Sequence, residues 1–154
     1  MTELSQHSKD KLATLHPDLQ KVINSVVDKS PWQLVIMQGA RTADEQMGIW
    51  LSCHHIDGTP NGQPWRSNCN GYPKGTTAPN GAHGTGESNH QGGHAADIGV
   101  EIDGAMVWDL TYYQQLAGYI SAASDELSIP TVWGGTFSHP DPDHFELDSN
   151  TYPV

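Results

Sequence analysis

Ser88-Asn89-His90-Gln91-Gly92-Gly93-His94-Ala95-Ala96-Asp97-Ile98-Gly99-Val100-Glu101-Ile102 carries the chain out of a glycine-rich turn into a run of small and apolar residues. The part from Ala95 to Ile102 has strand length and apolar content, so it predicts a strand entered from a polar loop. Upstream, residues 54–87 are crowded with Gly, Pro, Asn and Thr and show no lasting periodicity, which predicts one long connection. Further upstream, Thr42 is placed to cap a helix running to about Ser52, with Glu45 at the third helical position of a capping box. Before it, Gln33 to Gln38 is an apolar run of strand length. Leu12, Leu15, Leu19, Val22, Ile23, Val26 and Val27 recur at three- and four-residue steps, predicting an amphipathic helix over about 8–29. Pro17 is placed to divide it into a short turn and a main helix from Asp18 to Asp28.

Downstream, Leu110 to Leu127 reads as a helix, Thr131 to Trp133 as a short strand and His144 to Leu147 as a final strand. Helices and strands without regular alternation argue for an α+β fold rather than a doubly wound sheet. At 154 residues the chain has the size of one domain, 1–154, and no internal repeat is visible.

Seven basic against 18 acidic side chains give a formal charge of -11, which opposes attraction to phosphate backbones and anionic lipid surfaces. Nucleic acid and membrane are therefore not expected partners, and a monomer is the expected state. The first 30 residues hold no continuous apolar core of a signal peptide, so synthesis in the cytoplasm without a signal is expected. Cys53 and Cys69 stand 16 residues apart, without C-x-x-C spacing. Reduced, structural thiols are the expectation, with a disulfide formed after release from the cytoplasm as the alternative.

Two clusters carry chemistry. One is the opening stretch, where His90 and Asp97 flank the turn into the strand. The other is Asp141-Pro142-Asp143-His144-Phe145-Glu146, where a histidine enters a short apolar strand after a proline turn. Imidazole nitrogen and carboxylate oxygen suit zinc, and three protein ligands leave a position open for water, as a catalytic site requires. Either cluster alone reads more readily as turn caps and loop hydrogen bonds; together they meet the needs of an open metal site. No H-E-x-x-H is present, and Ser88 lacks the G-x-S-x-G surroundings of a nucleophile. Trp32, Trp50, Trp65 and Trp108 form no pattern that would mark a separate sugar-binding module.

The run Ser88-x-His90-x-x-Gly93-x-Ala95-x-Asp97, then Trp133-Gly134-Gly135, then Asp141-x-x-His144-Phe145, resembles the signature of the D-alanyl-D-alanine carboxypeptidase-like zinc peptidases. Within them it is most similar to phage and bacterial L-alanyl-D-glutamate endopeptidases, and the resemblance extends to Leu15-His16-Pro17-Asp18-Leu19 and to Gln38-Gly39-Ala40-Arg41-Thr42 with Gln46. It implies a hedgehog/peptidase-type α+β fold, a small antiparallel sheet flanked by helices. It also implies Zn2+ held by His90, Asp97 and His144, Asp141 as catalytic acid/base, and Arg41, Ser88 and Gln46 on the substrate side. The activity implied is that of a phage endolysin cleaving the L-alanyl-D-glutamate bond of peptidoglycan stem peptides, acting at the cell wall after release. The alternatives are a D-Ala-D-Ala carboxypeptidase or dipeptidase, and a non-catalytic metal-binding interaction domain of the same fold. The chain departs from the family pattern at Thr136, where an acidic residue commonly follows the Trp-Gly-Gly element, and in its 54–87 connection.

Three further expectations concern the neighbours of these residues, the first two from strand alternation. Glu146 shares the face of His144 and serves as its charge partner, whereas Asp143 would point the opposite way if the strand has already begun, as a surface carboxylate or one that supports the site from behind its ligands and base. Trp133 packs beneath the site, and its two following glycines let backbone or substrate approach.

Overall fold

The computed structural model describes residues 2–53, 55, 59, 61–62 and 89–153. Ser88, Cys69 and nearly all of the predicted 54–87 connection lie outside the described residues.

Helix α1 spans Gln6–Leu12 and α2 spans Pro17–Lys29. The apolar stripe anticipated over 8–29 is thus shared by two helices. Its break falls where Pro17 removes a backbone donor and holds His16 in an extended conformation, φ -55° and ψ 137°. His16 turns this to use, since its Nδ1 accepts from the Asp18 N–H at 3.1 Å and caps α2. The stripe reads as continuous because Leu12, Leu15, Leu19, Val22, Ile23, Val26 and Val27 all enter one buried cluster. Strand β1, Gln33–Gln38, leads to α3, Ala43–Leu51, capped as the sequence implies by Thr42 Oγ1 accepting from the Glu45 N–H at 3.1 Å. Strand β2 is Ala95–Ile102 and β3 is Ala105–Val107. They are followed by α4 over Leu110–Leu127, β4 over Thr131–Trp133 and β5 over His144–Leu147.

The sheet is antiparallel, ordered β1-β2-β5-β4, with β3 pairing to the far end of β2. Strand β3 was not foreseen. Its signal was Asp103-Gly104, two residues with φ of 51° and 79° that close a tight hairpin between β2 and β3. Strand period then divides the sheet into two faces. Ala96, Ile98 and Val100 of β2, Leu34 and Ile36 of β1, and Phe145 and Leu147 of β5 turn toward α2 and α4 and form the core. Asp97, His144 and Glu146 occupy the intervening positions on the opposite face, and Asp97 is the direct register partner of His144.

Cys53 at the end of α3 is buried and disulfide-bonded, which corrects the expectation of a reduced thiol; its partner lies outside the described residues. Sequence spacing carries no information on whether two Cα atoms approach closely enough to be bridged.

The corner between α1 and α2 fixes the turn that presents His90. Gly93 has φ +78°, its carbonyl accepts from the His16 N–H at 2.9 Å, and a Cβ there would stand 2.8 Å from the Thr14 carbonyl oxygen. Thr14 Oγ1 accepts from the Ala40 N–H at 2.9 Å, and Lys11 Nζ donates to the Met37 carbonyl, so the same corner also anchors the exit of β1. Gly93→Ala combines a left-handed backbone with a backbone clash, and is expected to cost about 2 kcal/mol or more, lowering the melting temperature by about 4 °C or more. Gly118→Ala, at an exposed helical position with open space around it, is expected to stabilise by about 0.5–1 kcal/mol. Thermal unfolding of the two variants separates a glycine required by its φ and packing from one that is not.

Candidate active site and metal centre

Three side chains from two elements and one turn converge on the open face of the sheet. His90 comes from the turn held by the α1–α2 corner, Asp97 from β2 and His144 from the first position of β5. His90 Nε2 lies 3.3 Å from Asp97 Oδ1, His144 Nδ1 lies 3.4 Å from the same oxygen, and the two ring nitrogens are 3.1 Å apart. Ligand atoms at 2.0–2.1 Å from a tetrahedral ion stand about 3.3–3.4 Å from one another, so this triangle has the dimensions of one face of a coordination tetrahedron. Asp97 Oδ1 is buried and meets no donor when the two ring nitrogens facing it carry lone pairs, an arrangement that is costly unless a cation completes it. His90, Asp97 and His144 could therefore hold a metal ion.

The outward nitrogens of both imidazoles are also accounted for. His90 Nδ1 faces the Gly39 carbonyl at 3.3 Å, and His144 Nε2 faces Glu146 Oε2 at 2.7 Å. Each contact calls for N–H on that nitrogen, which leaves the lone pairs of His90 Nε2 and His144 Nδ1 directed at the shared centre. Glu146 is thus the charge partner that strand alternation implied, and it also accepts from the Asn89 side chain. Without metal, burial would lower the His144 pKa, but hydrogen bonds to Asp97 and Glu146 prevail and raise it to about 9. Burial likewise opposes ionisation of Asp97 and Glu146, yet the histidines hold both carboxyls below their ordinary range. His90 goes the other way, its pKa lowered chiefly by burial, so it stands neutral and ready to ligate.

Glu146→Gln keeps the shape of the side chain while removing the carboxylate that orients and polarises His144. Metal affinity is expected to fall by about 10- to 100-fold, read by competition against a chromogenic chelator. An affinity equal to wild type would show that the His144–Glu146 contact is incidental.

Asp141 lies three residues before His144, and the loop it closes is tightly drawn. Its N–H donates to the Gly134 carbonyl at 2.9 Å, and its own carbonyl accepts from the His144 N–H at 3.1 Å. A Cβ on Gly134 would collide with the Asp141 carbonyl and the His144 Cβ, so a residue without a side chain is required there. Trp133 supports the loop from one side, its Nε1 donating to the Pro142 carbonyl at 2.7 Å, in keeping with its expected place beneath the site. Of the two places expected for Asp143, the structure shows the supporting one. Strand β5 begins at His144, and the Asp143 side chain just before it is half-buried and hydrogen-bonded to Asp141. Burial, that hydrogen bond and the charges of Asp97 and Asp141 raise its pKa to about 7.

Arg41 is drawn in beside the same carboxylates. Its side chain is 7% exposed, with Nη2 3.7 Å from Asp97 Oδ2 and Nη1 donating to Gln46 Oε1 at 3.3 Å, while Nε is buried without a partner. Burial lowers its pKa, partly offset by Asp97, Asp141 and Glu45. Gln46 is 1% exposed, because its position on α3 faces inward; it holds Arg41 and stands behind it. The other expected substrate-side residue, Ser88, lies outside the described residues. His94 is turned away from the triangle, its Nδ1 3.3 Å from the Tyr152 carbonyl and its ring against His16. Sequence reasoning passed over Phe137, whose ring centroid is 5.6 Å from that of His144; a lone aromatic in a Ser-Pro-rich turn gave no signal.

Residues 82–147, which contain the triangle and the Asp141 loop, match the family model described as D-alanyl-D-alanine carboxypeptidase. Residues 1–49, with the α1–α2 corner, Arg41 and Gln46, match the model described as phage L-alanyl-D-glutamate peptidase. The two halves of the chain thus resemble peptidases that act on the cell-wall stem peptide by their names, the D-alanyl-D-alanine carboxypeptidases and the phage L-alanyl-D-glutamate peptidases. A relative along nearly its whole length is the L-alanyl-D-glutamate peptidase of Escherichia phage T5, 26% identical over 151 residues, covering 97% of this chain and 92% of the phage protein. Among solved structures, the L-Ala D-Glu endopeptidase ChiX of Serratia marcescens superposes with a TM-score of 0.72 at 25% identity, covering 99% of this chain and 95% of that one. The α+β architecture, a small antiparallel sheet with four α-helices among the described residues, is thus shared with ChiX.

Proposed function

We propose that the protein is a zinc-dependent peptidoglycan hydrolase of the endolysin type, a monomeric single domain that cleaves the L-alanyl-D-glutamate bond of stem peptides. The observation that supports it most is the triangle of His90 Nε2, Asp97 Oδ1 and His144 Nδ1. Its edges and its orphaned oxygen fit zinc, and two relatives matched over nearly their full lengths carry this bond in their names. No helix among the described residues is long and apolar enough to cross a membrane, in keeping with action on the wall polymer rather than within a bilayer.

His90, Asp97 and His144 would hold the ion, which supplies Lewis acidity toward a water and a peptide carbonyl. Asp141 takes the proton from the attacking water and returns it to the leaving amine, the paired tasks of a general base and then a general acid. Its carboxyl is held for this by the Gly134 clamp on its backbone and by Asp143 at its side chain. Arg41 is placed to fix a carboxylate of the stem peptide or to steady Asp97, and Gln46 keeps its guanidinium in place. Ser88 is proposed to line the substrate side near His90.

The test is mass spectrometry of purified peptidoglycan digested with the zinc-loaded protein. New amino-terminal D-glutamate on the released peptides is the expected product. Release of D-alanine would instead assign the carboxypeptidase reading, and an intact polymer would leave the fold as a binding module.

A further inference from the structure

Trp108 is 63% exposed, the most exposed of the large apolar side chains among the described residues. Its place in the sheet is not arbitrary. Along one side of β2, β5 pairs with the first half and β3 with the second: Asp97 opposes His144, and Val100 opposes Val107. The Ile98 N–H donates to the Asp143 carbonyl at 2.8 Å, so Asp143 is bonded to β2 next to the Asp97–His144 pair, and Trp108 follows directly on Val107, the last residue of β3 in register with β2. The chain leaving β3 and the chain entering β5 therefore approach each other along the same edge of β2, which brings Trp108 to the side of the Asp141–Asp143 turn. Tyr113 closes the gap behind them. It is 2% exposed, its hydroxyl donates to the Val107 carbonyl at 2.9 Å, and it lies near enough to feel the charge of Asp143. The indole of Trp108 lies nearly parallel to the Tyr113 ring, 8° between planes and 6.2 Å between centroids, so it is backed on one side and open to solvent on the other.

We propose that Trp108 is a stacking platform for a pyranose ring of the glycan strand, forming a subsite on the sugar side of the scissile bond. This rests on the reading of the protein as a peptidoglycan endopeptidase. In that polymer the amino-terminal alanine of the stem is joined to the lactyl ether of an N-acetylated sugar, so a bond cut after this alanine lies one residue from a pyranose. A flat aromatic surface beside the catalytic turn is then within reach of that ring. The chemistry matches: a pyranose presents a face of weakly positive C–H groups, and an indole presents the most electron-rich face of any side chain. Stacking on a neutral ring is also the form of attraction least opposed by the charge of -11 that this chain would bring to an anionic polymer.

The experiment compares two substrates of the zinc-loaded protein: the free L-alanyl-D-glutamyl-diamino-acid peptide, and the same peptide linked to the N-acetylglucosaminyl-N-acetylmuramyl disaccharide. Trp108→Ala is expected to lower kcat/KM on the disaccharide-linked peptide about five- to tenfold more than on the free peptide, chiefly through KM. Trp108→Leu retains apolar bulk over Tyr113 without an aromatic face and should show the same split, whereas Trp108→Tyr should recover part of it. Equal effects on both substrates in both variants, or full recovery in Trp108→Leu, would overturn the proposal. So would gel filtration showing a wild-type dimer that Trp108→Ala dissolves, since the ring would then cover a second copy of the chain. Wild-type protein inactive on both peptides would sink the endopeptidase reading itself, an outcome distinct from an active enzyme that shows no Trp108-dependent split.

Discussion

Asp141→Asn is expected to retain its metal and lose about two to four orders of magnitude of turnover. The amide occupies nearly the volume of the carboxylate, so the Gly134 clamp on the Asp141 backbone and the fold of the loop stay as they are. What disappears is a base that can take a proton from water and return it to the leaving amine, a task that contributes about 10²–10⁴ in rate when the group is well placed. A fall in kcat with little change in KM would assign the loss to the chemical step. Asp143→Asn is the necessary companion, because Asp143 is half-buried and hydrogen-bonded to Asp141 rather than turned to solvent. Its loss should weaken activity by less, through poorer orientation of Asp141. If instead Asp143→Asn abolished cleavage with zinc retained and Asp141→Asn did not, the general base would be Asp143, reached through the turn that precedes β5.

The difference between these two aspartates shows how far the sequence could be read. The face shared by His144 and Glu146 followed from strand period alone, and the 2.7 Å contact between them agrees. The same period left Asp143 between two places, at the surface or behind the site, because a pattern of alternation does not announce where the strand starts. Strands β2 and β5 were legible as apolar runs leaving polar turns. The three-residue β3 was not, since its only signal is the Asp103-Gly104 hairpin and its stability comes from pairing with β2. The metal triangle was legible as two separate clusters, but its closure is tertiary: Asp97 and His144 meet by sheet register, while His90 is delivered by Gly93 packed on the α1–α2 corner. The inward turn of Arg41 toward Asp97 was not legible, because any of 18 acidic residues could have been the partner of its guanidinium. The disulfide of Cys53 was the less favoured of two alternatives, because residue spacing does not report distance.

Removing the metal is expected to change stability in a direction that depends on pH, and His144 sets the window. In the metal-free protein its imidazole bridges Asp97 and Glu146, and its pKa stands at about 9 against an ordinary 6.5. A group whose folded pKa is raised contributes stability that is fully present below the unfolded value and is lost as pH rises through the folded one. The chelated protein should therefore become less stable between about pH 6.5 and 9. Zinc requires the unprotonated nitrogen, so below pH 9 it must displace the His144 proton, and its affinity should rise across the same interval by up to about tenfold per pH unit. The stabilisation it confers, which grows with the ratio of free metal to dissociation constant, should widen accordingly: the gap in melting temperature between loaded and chelated protein increases from pH 6.5 to 9. Calorimetric titration in buffers of different ionisation enthalpy should show close to one proton released per zinc at pH 7.5. His144→Ala removes both the ligand and the cation between two buried carboxylates, and is expected to abolish cleavage, lose most of its zinc and melt at a temperature that no longer responds to chelator. A His144→Ala protein that kept full zinc content and the wild-type chelator response would place the metal elsewhere and dissolve the triangle as the catalytic centre.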